Sequence, residues 1–428
     1  MPFVRSVQNR LERTVYVIAG LPIAIRGGNL GSTSASREIH RVFAREYWRA
    51  RSIAELLELA AGLVIAPIAV PLAALWFTAR NGRLIRAREG KSIKGQFFEQ
   101  VCLYASAGVF GPWYYIFSLH RDGGRRAPTL LQRCETKRGL YALLKGPEAS
   151  PLGHKQKFAG RCAAAGIDCV SCEMVVGTGP ADADRLPDVD LFVKPLIGCG
   201  GKGAERWDRV APRRWSDGTS IFSDRQLLER FRLRGRPLIV QRRLRPHPSL
   251  QALTSGALPT VRLLTCLDER NLPEAIAAVF RMSVGANRTV DNFHAGGLAC
   301  AVSLGNGELG VASDLGADAR LGWCVEHPTT GTRIAGTRLP YWKELKNLGR
   351  RAHQAFADRV LIGWDIAITA AGPVIIEGNR GPDLDIMQRF QEFGFYHEHR
   401  LCELIAHHLQ MRGHIELRAH CSTVGMDS

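Results

Sequence analysis

The chain is short of acid: 40 Asp and Glu stand against 57 Lys and Arg, leaving a net charge of +17 over 428 residues. Regular cysteine spacing is also missing. Eleven Cys, an odd number scattered through a long chain, exclude a disulfide framework and point to a reducing compartment. The single C-x-x-C, Cys169-Val-Ser-Cys172, lacks the second pair or histidine partner that a zinc site needs. No period of 20 to 50 residues recurs, which excludes a solenoid or propeller. No Ser-His-Asp or Cys-His set stands at a recognisable spacing, so no covalent enzyme intermediate is expected. Glycine and proline, at 44 and 21, are too few for a collagen-like or low-complexity chain, and 46% hydrophobic residues suit a folded protein of two or three domains.

What is present is uneven. Residues 1–126 hold 18 Lys and Arg against 8 Asp and Glu. Such a basic segment seeks an acidic neighbour, nucleic acid or the anionic inner face of a membrane. Its Arg-rich stretches lack the interleaved aromatics of a nucleic-acid platform, so no nucleic acid is expected. Residues 59–79 form an uncharged run of 21, about 31 Å long as a helix and enough to cross a bilayer core. Pro67 and Pro71 stand in its middle, where each removes a helical hydrogen bond. Arg37, Arg41, Arg45, Arg49 and Arg51 precede it; Arg80, Arg83, Arg86, Arg88, Lys91 and Lys94 follow. Positive clusters favour the cytoplasmic side. The expectation is a bent hairpin resting in the cytoplasmic face of the inner membrane, with a kinked core helix as the alternative. Residues 14–25 are apolar after Arg13, but Arg26-Gly-Gly-Asn follows where a signal cleavage site should fall. Residues 101–119, aromatic and broken by Gly108, Gly111 and Pro112, read as core packing at the entry to the main domain.

From about residue 125 the pattern is mixed α/β. Short apolar strands are expected at 191–193, 238–240, 261–264, 276–280 and 374–376, and helical periods at 155–165, 224–234, 341–358 and 384–410. The strand ending Val193-Lys194-Pro195 runs into Gly198-Cys199-Gly200-Gly201-Lys202-Gly203. Glycines so close together let several backbone N–H groups face one anion, and Lys194 adds a point charge. The loop satisfies G-x-G-x-x-G, but Pro212 stops any helix opening after it, against a Rossmann reading. Near the other end, 361–369 and 374–379 read as two strands around a Gly372-Pro373 turn. If Ile368 pairs with Val374, Asp365 lies opposite Glu377, with Asn379 on the same face by alternation. Carboxylates this close need a cation between them, and oxygen ligands suit Mg2+.

A lysine before a helix, a strand ending in Lys with a glycine loop, and a late D…E-x-N strand pair, in that order, resemble the ATP-grasp superfamily. Segments 192–203, 238–244, 259–265, 292–297 and 363–379 resemble more narrowly its sugar-transfer-associated branch, related to the alpha-L-glutamate ligases. The resemblance covers about residues 110–410. It implies an α/β (α+β) fold of two lobes clasping ATP, with a basic, partly apolar helical region at 1–100, entry helices and the first part of the lobes at 101–185, a glycine-loop lobe at 186–245, a C-terminal lobe with the metal site at 246–412, and a tail at 413–428. Lys155 matches the first ATP lysine, with Lys157 as fallback; His154 stands where an acidic residue usually precedes it. Lys194 matches the second ATP lysine. Gly198, Gly200, Gly201 and Gly203 match the flap over the triphosphate, and Gln241 the hinge that meets adenine. Arg262 and Arg281 match basic positions near the transferred phosphate. Asn292 matches a residue of the metal and phosphate side, and Asp365, Glu377 and Asn379 the metal ligands. His294 receives no role.

The resemblance implies an ATP-dependent enzyme that uses Mg2+, with room for two ions and Mn2+ as a substitute. It joins a small-molecule or sugar-linked carboxylate to an amine through an acyl phosphate, in cell-surface polysaccharide or amino-acid-conjugate synthesis beside glycosyltransferase-type enzymes. The alternatives are a kinase of a hydroxyl, served by the same lysines and metal site, and a non-catalytic membrane-associated nucleotide-binding scaffold.

Overall fold

The computed structural model describes residues 2–31, 33–49, 52–146, 150–177, 185–197, 203–285, 296–317, 321–390 and 398–415. Four long helices come first: α1 (Pro2–Arg26), α2 (Ser34–Trp48), α3 (Ile53–Glu89) and α4 (Ile93–Ala107). Local capping sets their starts and stops. Thr33 and Ser36 form a capping box for α2, Ser52 and Ser92 accept from Glu55 N–H and Gly95 N–H, and Gly90 and Gly108 end α3 and α4 in the left-handed region.

Helix α3 runs unbroken for 37 residues through both Pro67 and Pro71. The bent hairpin expected over 59–79 is therefore not formed. Proline removes one hydrogen bond and kinks a helix but does not reverse it, and two prolines four residues apart put both losses on one side. Leu59, Gly62, Ala66, Val70, Ala74 and Thr78 make a single buried stripe at helical spacing. This small-residue stripe lets α1 come close: a Cβ added at Gly62 would sit 2.3 Å from Val17 Cγ1. Gly62→Leu is expected to cost about 1–3 kcal/mol by overpacking this contact, read as a lowered melting temperature.

Two antiparallel sheets follow. The smaller holds β1 (Met174–Val176), β2 (Leu191–Pro195), β3 (Glu205–Ala211), β4 (Arg214–Ser216), β5 (Ile221–Ser223) and β6 (Leu238–Arg242), in the order β1-β6-β2-β3-β4-β5. The chain after Gly203 enters a strand, not the helix a dinucleotide loop requires. The larger sheet holds β7 (Thr260–Leu267), β8 (Pro273–Met282), β9 (Leu298–Val302), β10 (Leu309–Ser313), β11 (Trp323–Cys324), β12 (Leu361–Thr369) and β13 (Gly372–Asn379), in the order β11-β10-β9-β8-β7-β12-β13. Helices α5 (Lys155–Ala164), α6 (Asp224–Arg232), α7 (Trp342–Ala355) and α8 (Glu398–Met411) pack around them. The expected helical period at 384–410 divides into a short turn, Asp385–Gln388, and α8, with 391–397 outside the described residues.

Strand β12 is covered on both faces. Ile362, Trp364, Ile366 and Ile368 point into a core with Leu345, Leu348 and Ala352 of α7. The alternate residues turn to the opposite face, where Leu361 joins Leu401 and Leu404 of α8. Gly349 lets Leu263 reach the α7 backbone, since a Cβ there would lie 2.4 Å from Leu263 Cδ2. The N-terminal helices are fastened to this sheet. Ile39 and Val42 of α2 share the core of α8. Asn81 Nδ2 donates to Ala317 O (3.0 Å), and Trp113 Nε1 to Asp385 Oδ2 (3.0 Å). As expected for 101–119, Phe110, Trp113, Tyr114, Tyr115 and Phe117 are buried.

Candidate active site between the two sheets

Strand pairing assembles the site on the face of the large sheet opposite α7. Thr260 on β7 pairs with Arg281 on β8, Arg262 on β7 with Asp365 on β12, and Asp365 with Glu377 on β13. Asn379 pairs with Gly363, two residues from Asp365. The Asp365–Glu377 pairing is the one expected, but the pairing proposed to produce it does not occur. Ile368 pairs with Pro373, not Val374, and a β-bulge that leaves Ile376 without a partner makes up the missing residue.

Asp365 is 5% exposed. It accepts from Arg262 Nε and from Arg262 Nη2 (3.0 Å), and Arg281 Nη2 lies 3.1 Å from its Oδ2. Arg281 also donates to Thr260 Oγ1 from Nε (3.1 Å) and Nη2 (2.6 Å). Burial opposes ionisation of Asp365, but the two guanidiniums and their hydrogen bonds prevail and hold its carboxyl down at about 2. The sequence reading gave Asp365 to a metal ion. In this structure both its oxygens accept from arginines, so Asp365 holds Arg262 and Arg281 side by side, with Glu377, the second expected carboxylate, paired opposite it. Among the described residues, no group of three or more His, Cys, Asp or Glu is placed to hold a metal.

Lys194, at the end of β2, reaches the same place from the small sheet. It is 9% exposed. Burial draws its ammonium below the usual lysine range and nearby Lys155 adds to the effect, while Glu377 and Asp365 pull the other way. Lys155 opens α5 and donates to Leu196 O at 3.4 Å. It is Lys155, rather than the fallback Lys157, whose charge acts on Lys194. His154, in the place of the usual acid, caps α5 by accepting from Lys157 N–H (3.4 Å). Gln241 is buried on β6 opposite Phe192. Gly203 has φ +74°, a conformation suited to glycine, and lies against Arg236. Gly198, Gly200, Gly201, Asn292 and His294 lie outside the described residues.

Beside Arg262 is a cluster that the sequence did not announce. The 381–385 loop crosses β12, with Pro382 where a Cβ on Gly363 would be. Lys137 Nζ donates to Gly381 O (2.6 Å), and Arg133 Nη1 lies 3.4 Å from Asp383 Oδ2. Burial, with Asp383 next to it, pushes the Asp385 carboxyl up to about 8. Gly-Pro-Asp-Leu-Asp after a strand is ordinary turn chemistry and gives no sign of this.

Among the described residues, Lys155, Lys194, Arg262 and Arg281 thus gather about Asp365 and Glu377, with the Arg133, Lys137, Asp383 and Asp385 cluster beside Arg262. Asn379 Nδ2 is buried there without a hydrogen-bond partner among the described residues. Surplus positive charge and an unmatched buried donor suit a polyanion.

A family model described as sugar-transfer associated ATP-grasp matches residues 155–402. No curated protein matches the chain. Among solved structures the chain is similar to the L-amino acid ligase of Bacillus licheniformis, at 11% identity and a TM-score of 0.33, over 56% of this chain and 42% of that one. It is similar to the D-alanine-D-alanine ligase of Coxiella burnetii, at 12% identity and a TM-score of 0.34, over 61% and 60%. It is also similar to the biotin carboxylase domain of the Hydrogenobacter thermophilus 2-oxoglutarate carboxylase, at 12% and 0.36, over 62% and 46%. The chain spans less than two thirds of each of these three.

Proposed function

Because the chain belongs to the sugar-transfer-associated ATP-grasp family, we propose that it is an ATP- and Mg2+-dependent ligase that joins a carboxylate to an amine through an acyl phosphate. The observation that carries this reading is the convergence of four cations, one from helix α5 and three from the two sheets, around Asp365 and Glu377. Lys155 and Lys194 take the phosphates of ATP from the small-sheet side. Arg262 and Arg281, fixed by Asp365, hold the γ-phosphoryl group and the acceptor carboxylate in line and offset charge as it moves. A carboxylate oxygen attacks the γ-phosphorus, the bond to the β,γ-bridging oxygen breaks and ADP leaves. The amine then attacks the acyl carbon, phosphate departs, and the amine gives up its proton as the amide forms. Glu377 and Asn379, with Asp365 beside them, would hold Mg2+, or Mn2+ in its place, and the ion would supply charge neutralisation on the triphosphate. The family's name supports a sugar-linked acid or amine in polysaccharide synthesis.

The test is the product. ADP and free phosphate should form only when both acid and amine are present, and hydroxylamine should trap the acyl phosphate as a hydroxamate. AMP, or γ-phosphate retained on a product hydroxyl, would overturn ligation, the latter in favour of a kinase. Glu377→Gln keeps the volume and removes one charge. It is expected to lower ATP turnover by about 10²-fold or more with little change in melting temperature, and near-normal turnover would remove Glu377 from the metal site.

A further inference from the structure

Helix α3 is built inside out for a helix in water. Between Leu59 and Ile85, which are buried too, its buried stripe is small or modest: Gly62, Ala66, Val70, Ala74, Thr78 and Gly82. Its large apolar residues point outward, with Val64 76%, Ile68 66%, Leu72 60%, Leu75 58% and Trp76 64% exposed. From residue 59 to 79 the helix carries no charge, with Glu55 and Glu58 half-buried before it; Arg80, Arg83, Arg86 and Arg88 then follow, all exposed. It is the one helix among the described residues long and apolar enough to cross a membrane. An apolar face of this size on a soluble surface marks an interaction site.

We propose that this face lies in the plane of an anionic lipid bilayer, held on one side of the membrane and not crossing it. Both ends of α3 are tied to the same catalytic body. Asn81 is hydrogen-bonded to Ala317, just before β11. At the other end, Arg45 near the close of α2 donates to His414 O, just after α8. Ser52, the N-cap of α3, stands seven positions after Arg45, a reach of at most about 25 Å. That falls short of the about 30 Å hydrocarbon core that a crossing helix would need to put between its ends and the body. An interfacial helix needs an apolar face at the acyl boundary and cations at the headgroups, and α3 has both. The charge at its end favours lipid over a parallel pair of copies, because parallel pairing through α3 would bring like arginine rows together.

The test uses the full chain and vesicles of phosphatidylcholine with or without phosphatidylglycerol. Flotation with the phosphatidylglycerol vesicles is expected, weakening as salt rises. Replacing Ile68, Leu72 and Leu75 together with Glu is expected to weaken it about tenfold or more, with the helical circular dichroism and melting temperature kept. Unchanged flotation in that variant, or no flotation of the unaltered chain, overturns the proposal. So does a lipid-free dimer that the same variant dissolves. Orientation is read from Ile68→Trp in a Trp76→Phe chain. Lipids brominated near the headgroup should quench the new fluorescence more than lipids brominated near the bilayer centre, and the reverse order would mean a crossing helix.

Discussion

Lys194→Met is expected to lower ATP turnover by about 10²- to 10⁴-fold, the range that removal of a positioned charge reaches in transfer chemistry, while the nucleotide-free protein melts at the same temperature or higher. The two halves have one cause. The Lys194 ammonium is buried at the end of β2 with another cation, Lys155, acting on it, so without nucleotide it is a cost to the fold. Methionine fills similar volume and removes the buried charge. The sign can be checked with pH. A lysine whose folded value is lowered binds fewer protons when folded than when unfolded between that value and the usual lysine value. The unaltered protein should therefore gain stability from this group as pH rises through that window, and Lys194→Met should not. Denaturant melts of both proteins across alkaline pH, with a phosphate-release assay, give the comparison. A variant that keeps its turnover would remove Lys194 from the phosphate site.

Asp365→Asn should be damaging in a different way. It leaves Arg262 and Arg281, both mostly buried, facing each other without a carboxylate. Breaking a buried pair by removing one partner costs about 3–5 kcal/mol, so a large drop in melting temperature is expected together with loss of turnover. Acid should imitate part of this. Asp365 titrates at about 2 when folded, against 3.8 unperturbed. A depressed carboxyl contributes stability above its unfolded value and loses it as pH falls through the folded one. About 2 kcal/mol should therefore disappear between pH 4 and pH 2. The same acid limb should be absent in Asp365→Asn, measured by urea titration at each pH. An acid limb of equal size in both proteins would show that the guanidiniums do not hold Asp365.

Much of this site was legible because its parts announce themselves locally. Lys194 ends an apolar strand, and Asp365, Glu377 and Asn379 lie on two strands around Gly372-Pro373, a pattern set by alternation over a few residues. The mixed α/β pattern followed from strands and helices of ordinary length, and the two lobes from the resemblance. Tertiary facts were not legible. That Asp365 meets Arg262 depends on β7 lying beside β12, about a hundred residues apart in sequence. The Lys137, Asp383 and Asp385 cluster depends on a loop crossing Gly363. In α3 the prolines were read as a reversal because the sequence shows the lost hydrogen bonds, whereas the flanking contacts that keep the rod continuous, such as Val17 against Gly62, come from α1.

The unpaired Ile376 matters beyond the pairing it adjusts. Ile375 lies in the core beneath α7 and pairs with Ile366, whereas Glu377 pairs with Asp365 on the other side of the sheet. Two residues apart, they would share a side in a regular strand, and Glu377 would then be driven toward the interior. A side chain on that interior side already meets a wall at the next position, since a Cβ on Gly378 would sit 2.6 Å from Leu152 and 2.8 Å from Trp364. Ile376 thus works as a phase shifter between two parities of one strand, one parity serving the interior and the other presenting Glu377 beside Asp365. Deleting Ile376 would leave Ile375 opposite Ile366 and bring Glu377 opposite Asp365 without a bulge, so the shortened strand would keep its carboxylate on the same side.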